Sequence, residues 1–232
     1  STANLADGLG FYELKQAETL IVMGIIGVVA ALTIPNLNSS TADKEKVAKV
    51  KKIYQNLDDA LGRAQAVYGP YDEWTLNITD TTAKNQRIGE RITEFMKVSK
   101  NCSISNQNDC FKDANIYWAN GTSTGQTLSR TGYRFITADG TSVAISPEFI
   151  HVDIDGPNKG NNKWGTDIFR FLISNNMVQP ARDSNFTWYL TDLTSHGQSA
   201  SGWVIDYDNM DYLKIKNGKC PNGSTPTETN PR

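Results

Sequence analysis

The chain holds 232 residues, 21% charged and 38% hydrophobic, with a formal net charge of -2. That length supports one sizeable core or two small ones. The near-neutral balance removes the usual ground for expecting nucleic acid as a partner, which is a strongly basic total.

The first predicted element is apolar. Leu20 to Ile34 carries no charge, and the uncharged stretch continues from Thr19 up to Asp43. As a helix this core spans only about 22 Å, and flanking residues bring it close to the roughly 30 Å of bilayer hydrocarbon. Gly24, Gly27 and Ala31 put small residues near one side, which permits close helix–helix approach in lipid. A buried helix of a soluble core and a secretory signal are the competing readings. No core element flanks the segment, and Asp7, Glu13 and Glu18 against Lys15 make no basic n-region. A retained membrane anchor is therefore the expectation.

Pro35 kinks or ends this helix. Beyond it, Val47, Val50, Tyr54, Leu57, Leu61 and Ala64 recur at three- and four-residue steps, which predicts an amphipathic helix ended by Gly69-Pro70. Lys44, Lys46, Lys49, Lys51 and Lys52, interleaved with Asp43 and Glu45, read as its solvated face.

The segment AETLIVMGIIGVVAALTIP closely resembles the amino-terminal region of type IV pilins and of type II secretion pseudopilins. SKNC, ADGTS, DIDGPNKGNNKWGTDIF and NMDYLK look like later parts of prepilin-type proteins. Glu18, Gly27 and Pro35 occupy the family's places. The resemblance implies that Glu18 pairs with the first-residue amine of a neighbouring subunit and sets filament register. An ionised carboxylate at a bilayer edge needs such a partner. The family expects a Gly where Glu13 stands, and the only Gly-Phe junction is upstream at Gly10-Phe11. Lys15 is the nearest cation to replace the amine, so the expected assembly residues are Lys15, Glu18, Gly24, Gly27 and Pro35.

The resemblance further implies partners. They are copies of the chain in a helical filament, inner-membrane assembly machinery with a prepilin peptidase, and membrane lipid before assembly. It implies an inner-membrane stage, then a periplasmic or extracellular filament. The alternative reading is a singly membrane-anchored envelope protein with an adhesin-like, ligand-binding ectodomain.

Past Tyr71, Lys84 to Lys97 reads as a short helix. Cys102 and Cys110 follow in the polar loop KNCSISNQNDCF, where a disulfide would close a small ring. Cys220 is left over, and its pairing with either loop cysteine stays open. Tyr133 to Thr137, the turn Asp139-Gly140, and Ser142 to Ile145 predict a hairpin. Phe149 to Ile154, Ile168 to Ile173 and Trp203 to Tyr207 read as further strands.

VDIDGPNKGNNKWGTDIF gathers oxygen donors, and Asp153, Asp155 and Asp167 are the candidate ligands for calcium. An EF-hand loop fails because Trp164 stands at its twelfth position. The competing reading is a turn-rich loop braced by its own Asp and Asn side chains. No HExxH, GxSxG or P-loop is present, so no enzyme is expected. His151 reads as a structural strand residue, and Asp206, Asp208 and Asp211 as a solvated turn.

The expected fold is α+β and pilin-like, a long N-terminal helix with a membrane-embedded first half packed on a small antiparallel sheet. The expected organisation is an extension over 1–18, a hydrophobic helix over 19–36 and an amphipathic helix over 37–69. A globular head over 70–218 and a flexible tail over 219–232 complete it.

Overall fold

The computed structural model describes residues 41–105, 107–111, 114–127 and 132–230. The chain divides into two units, Ser1–Glu45 and Lys46–Arg232, and the described strands all belong to the second. The expected apolar helix 19–36 and its extension, with Lys15, Glu18, Gly24, Gly27 and Pro35, lie outside the described residues.

Helix α1 spans 41–68. Val50, Leu57, Leu61 and Ala64 on one side are fully buried, while Lys52, Asn56, Asp59 and Arg63 are exposed. Burying each large apolar side chain stabilises by about 1.5–3 kcal/mol, which is what holds such a helix down. Gly69 ends it with a left-handed φ of 81°, its N–H donating to the Gln65 carbonyl at 3.0 Å. A 3-10 turn, Tyr71–Glu73, leads to α2, Thr81–Thr93, which Asp80 caps through the Ala83 N–H.

Six strands follow: β1 Val98–Ser103, β2 Tyr133–Thr137, β3 Ser142–Ile145, β4 Phe149–Asp153, β5 Ile168–Ser174 and β6 Met177–Pro180. They pair in sequence order, each antiparallel to the next. Strand side chains alternate between faces. Phe135, Val143, Ile145, Ile150, Val152, Phe169 and Phe171 share one core with Val50, Leu57 and Leu61 of α1. Ile136, Ala144 and Ile168, from the other face, form a second cluster with Phe111, Ile116, Trp164 and the bonded pair Cys102–Cys110. Cys220 is a buried thiol.

Helix α3, Gln107–Cys110, belongs to the disulfide loop. After β6 come α4, Phe186–Ser195, α5, Ala200–Tyr207, and a 3-10 turn, Asp211–Lys214. Fully buried Trp203 of α5 packs among Tyr189, Tyr207 and Tyr212, and its ring N–H donates to Asn209 at 3.0 Å. Cys220 and Pro226 are buried in the tail, and the Tyr207 hydroxyl donates to the Glu228 carbonyl at 3.2 Å.

Two expectations are corrected here. The pilin-like plan, a long membrane-embedded helix on a small sheet, gives way to a six-stranded open antiparallel sheet flanked by several helices. Among the described residues no helix is long and apolar enough to cross a membrane. α1 is apolar on one side only, and Lys44, Lys46, Lys49, Lys51, Lys52, Asp58 and Asp59 lie along it. Secondly, the expected strand Trp203 to Tyr207 is helix α5. Ala200, Trp203, Val204 and Tyr207 fall at helical spacing, and a short β-prone run is ambiguous by periodicity alone.

Candidate functional site

The acidic connection between β4 and β5 carries Asp153, Asp155 and Asp167. Asp153 ends β4 opposite Ile168 of β5, so the antiparallel register itself closes the loop and brings Asp167 beside Asp153. Both are buried, at 3% and 1% exposure. Asp167 accepts the Asn161 N–H on one oxygen and the Lys163 N–H on the other, each at 2.5 Å. Asp153 accepts the Asp155 N–H at 3.1 Å. Gly160 lies so close that any Cβ there would overlap the Asp167 carboxylate.

Burial raises the pKa of both buried carboxyls. Asp153 is pushed up to about 8, by desolvation first and the Asp167 charge second. Asp167 is also raised by burial, against the pull of the two amides and of Lys46.

Cations from α1 reach this loop and its neighbours. Lys46 donates to the Thr166 carbonyl at 3.0 Å, and Lys49 lies 3.6 Å from Asp155. Lys52 pairs with Asp139 in the β2–β3 turn at 2.8 Å, and Lys51 with Asp208 at the end of α5 at 2.9 Å. Four lysines expected to be a solvated face thus clasp three separate loop ends. Each exposed pair contributes little, roughly 0–1 kcal/mol, yet together they fix where the loops sit on the helix.

The calcium expectation meets a different chemistry. Each Asp167 oxygen accepts a backbone amide, and Asp155 lies 3.6 Å from the Lys49 ammonium. Among the described residues no three His, Cys, Asp or Glu side chains are placed to hold a metal ion. The arrangement fits a loop braced on its own carboxylates.

The histidines occupy structural positions. His151 stacks beside Phe149 with ring centroids 6.2 Å apart, and Trp164 meets its ring edge-on at 5.2 Å. Desolvation, aided by Arg170, lowers its pKa to about 4 and keeps it neutral. His196 is exposed, 5.0 Å from the Trp118 ring centroid and 3.7 Å from Asp192. Nor do Asp206, Asp208 and Asp211 make a carboxylate pair. Asp206 sits in α5 and binds Arg182 at 3.0 Å, Asp208 caps that helix, and Asp211 binds Lys214 at 2.8 Å.

A shallow groove of about 460 Å³ runs between α2 and β1, lined by Glu90, Thr93, Glu94, Val98, Ser99, Lys100, Asn101 and Tyr133. Sequence reasoning missed it because β1 lacks the apolar alternation of a strand, with Ser99, Lys100 and Asn101 exposed. No pattern of residue types announced it.

The chain matches no protein family, no curated protein and no solved structure. The resemblance to type IV pilins and pseudopilins has neither a family match nor, among the described residues, a membrane-crossing helix behind it. The family assignment is therefore corrected. With it fall the filament-subunit function and its adhesin-like alternative, the pilus vocabulary, and the inner-membrane and filament localisation.

Proposed function

We propose that the head, Lys46–Arg232, is a non-catalytic module that works by binding. The observation that carries this reading is the fate of its reactive side chains. His151 packs between Phe149 and Trp164, and Asp167 holds two loop amides. Catalytic acids, bases and nucleophiles sit in clefts with a substrate's reach, aligned with one another. Here the carboxylates brace a loop and the lysines tie loops to a helix. What is left is a rigid sheet with surface grooves, which suits recognition.

The test is turnover. The purified protein is incubated with ester, phosphomonoester, glycoside and peptide substrates, beside His196→Ala and Asp153→Asn variants. No turnover above background is expected from any of them. Turnover that disappears in either variant would overturn the reading.

A further inference from the structure

We propose that the β1 edge and the acidic side of α2 form a docking groove for an extended, lysine- or arginine-bearing segment of a partner protein, which joins the sheet as an added strand. This deepens the non-catalytic binding reading and rests on it.

Topology singles out this edge. The sheet is open, with β1 and β6 as its end strands. An end strand presents backbone N–H and C=O groups along its free side, a template for another strand. The β6 edge is closed by its own chain. The Val178 N–H donates to Asp58 of α1 at 3.3 Å, Pro180 has no N–H, and the Ala181 N–H donates to Ser201 of α5 at 2.9 Å. The β1 edge instead borders the α2 groove, and its Ser99, Lys100 and Asn101 are exposed. A strand of that length runs about 20 Å, enough for a partner segment of about six residues.

Charge selects the occupant. Lys100 is bound to Asp109 at 2.9 Å, so its charge is answered within the chain. The remaining charges on the groove are Glu90 of α2 and Glu94 at its C-cap, both exposed. Glu90 accepts from the Gln86 amide at 2.9 Å and Glu94 from the Tyr68 hydroxyl, and among the described residues neither carboxylate stands in an ion pair. Cations on alternate positions of an incoming strand would point toward that wall. A second copy of this chain is a poor occupant, because its own Glu90 and Glu94 would meet the first pair.

Two features tune the edge. The β1–β2 register slips between Val98 and Lys100 and again between Asn101 and Ser103. Such bulges and an edge lysine discourage indiscriminate pairing with flat, hydrophobic strands. The spacing of the groove walls is also set, since Gly89 of α2 packs directly on Tyr133 and Asn101 donates to the Tyr133 hydroxyl at 2.6 Å.

The probe is a fluorescein-labelled hexapeptide alternating Lys and Val, with two counterparts, one carrying Glu for Lys and one carrying Pro for Val. Binding is read by anisotropy and mapped by amide chemical shifts of the full chain. Saturable binding of the Lys–Val peptide is expected, with shifts confined to Val98–Ser103 and α2. The double variant Glu90→Lys/Glu94→Lys, both at exposed positions and so folding normally by circular dichroism, should bind about five- to tenfold more weakly. The Pro peptide, which loses half of its backbone donors and is held away from regular strand geometry, should bind more weakly, and the Glu peptide should not bind. No binding of the Lys–Val peptide at millimolar concentration, equal binding of the Pro peptide, shifts mapping elsewhere, or a concentration-dependent dimer closing the same edge would each overturn the proposal. None of these outcomes bears on the turnover assay, so the two readings fail separately.

Discussion

Asp167 stands beside Asp153 at the mouth of the β4–β5 loop, and its charge adds to burial in raising the Asp153 pKa to about 8. The unfolded chain releases that proton near 3.8, so between these values the folded state binds more protons and stability falls as pH rises. Lowering the pH from 9 to about 6 should therefore raise the melting temperature. A gain on the order of 1–3 kcal/mol is expected, a few degrees for each kcal/mol in a chain of this size. Asp153→Asn should flatten this alkaline slope in thermal melts, and a slope unchanged in that variant would refute the assignment.

His151 sets the opposite limb. Buried against Phe149, Trp164 and the Arg170 charge, it titrates in the folded chain near 4 rather than 6.5. The unfolded chain binds the proton first, so this contribution to stability is lost as pH falls from about 6.5 to about 4. Between about pH 4 and 6.5 the two contributions oppose and nearly cancel, so the pair gives a plateau there and a fall in stability from about 6.5 to about 8. His151→Phe should remove much of the acid-side loss, and denaturant melts from pH 4 to 7 measure it.

Gly89 and Gly62 should respond to alanine in opposite directions. Both lie in helices, where Ala is favoured over Gly by about 1 kcal/mol. Around a Cβ at Gly62 nothing lies within 4 Å, so Gly62→Ala should stabilise by up to about that amount. At Gly89 the same atom would overlap the Tyr133 ring, so Gly89→Ala should destabilise by about 1–3 kcal/mol. Urea midpoints of the two variants make the comparison directly.

Chelation should leave the fold untouched. The oxygens of Asp167 are held by the amides of Asn161 and Lys163, and Asp155 faces Lys49, so no calcium is required to neutralise the loop. Melting curves in EDTA and in millimolar calcium should superimpose. A calcium-dependent rise would show a binding contribution of the form expected for a ligand specific to the native state, and would support the metal reading.

Parts of this architecture were legible in the residues. The recurrence of Val47, Val50, Leu57, Leu61 and Ala64 marks the buried side of α1, because helical period and burial are tied by geometry. Alternation and the Asp139-Gly140 turn mark β2 and β3 for the same kind of reason. The run of oxygen-bearing residues from Asp153 to Asp167 was visible too, but its chemistry was not. Residue types show that donors are present, and not whether backbone amides already bind them.

Local periodicity, turn chemistry and apolar placement are thus what the sequence by itself determined, since each depends on neighbours along the chain. Tertiary structure alone decided that Trp203 lies in a helix, that Lys46, Lys49, Lys51 and Lys52 clasp separate loops, and that β6 is capped while β1 borders a groove. Those facts join residues far apart in sequence. Lys51 and Asp208, 157 positions apart, meet only because the sheet and α1 share one core. Pairings of that kind follow from the packing of whole elements, which no short window of residues contains.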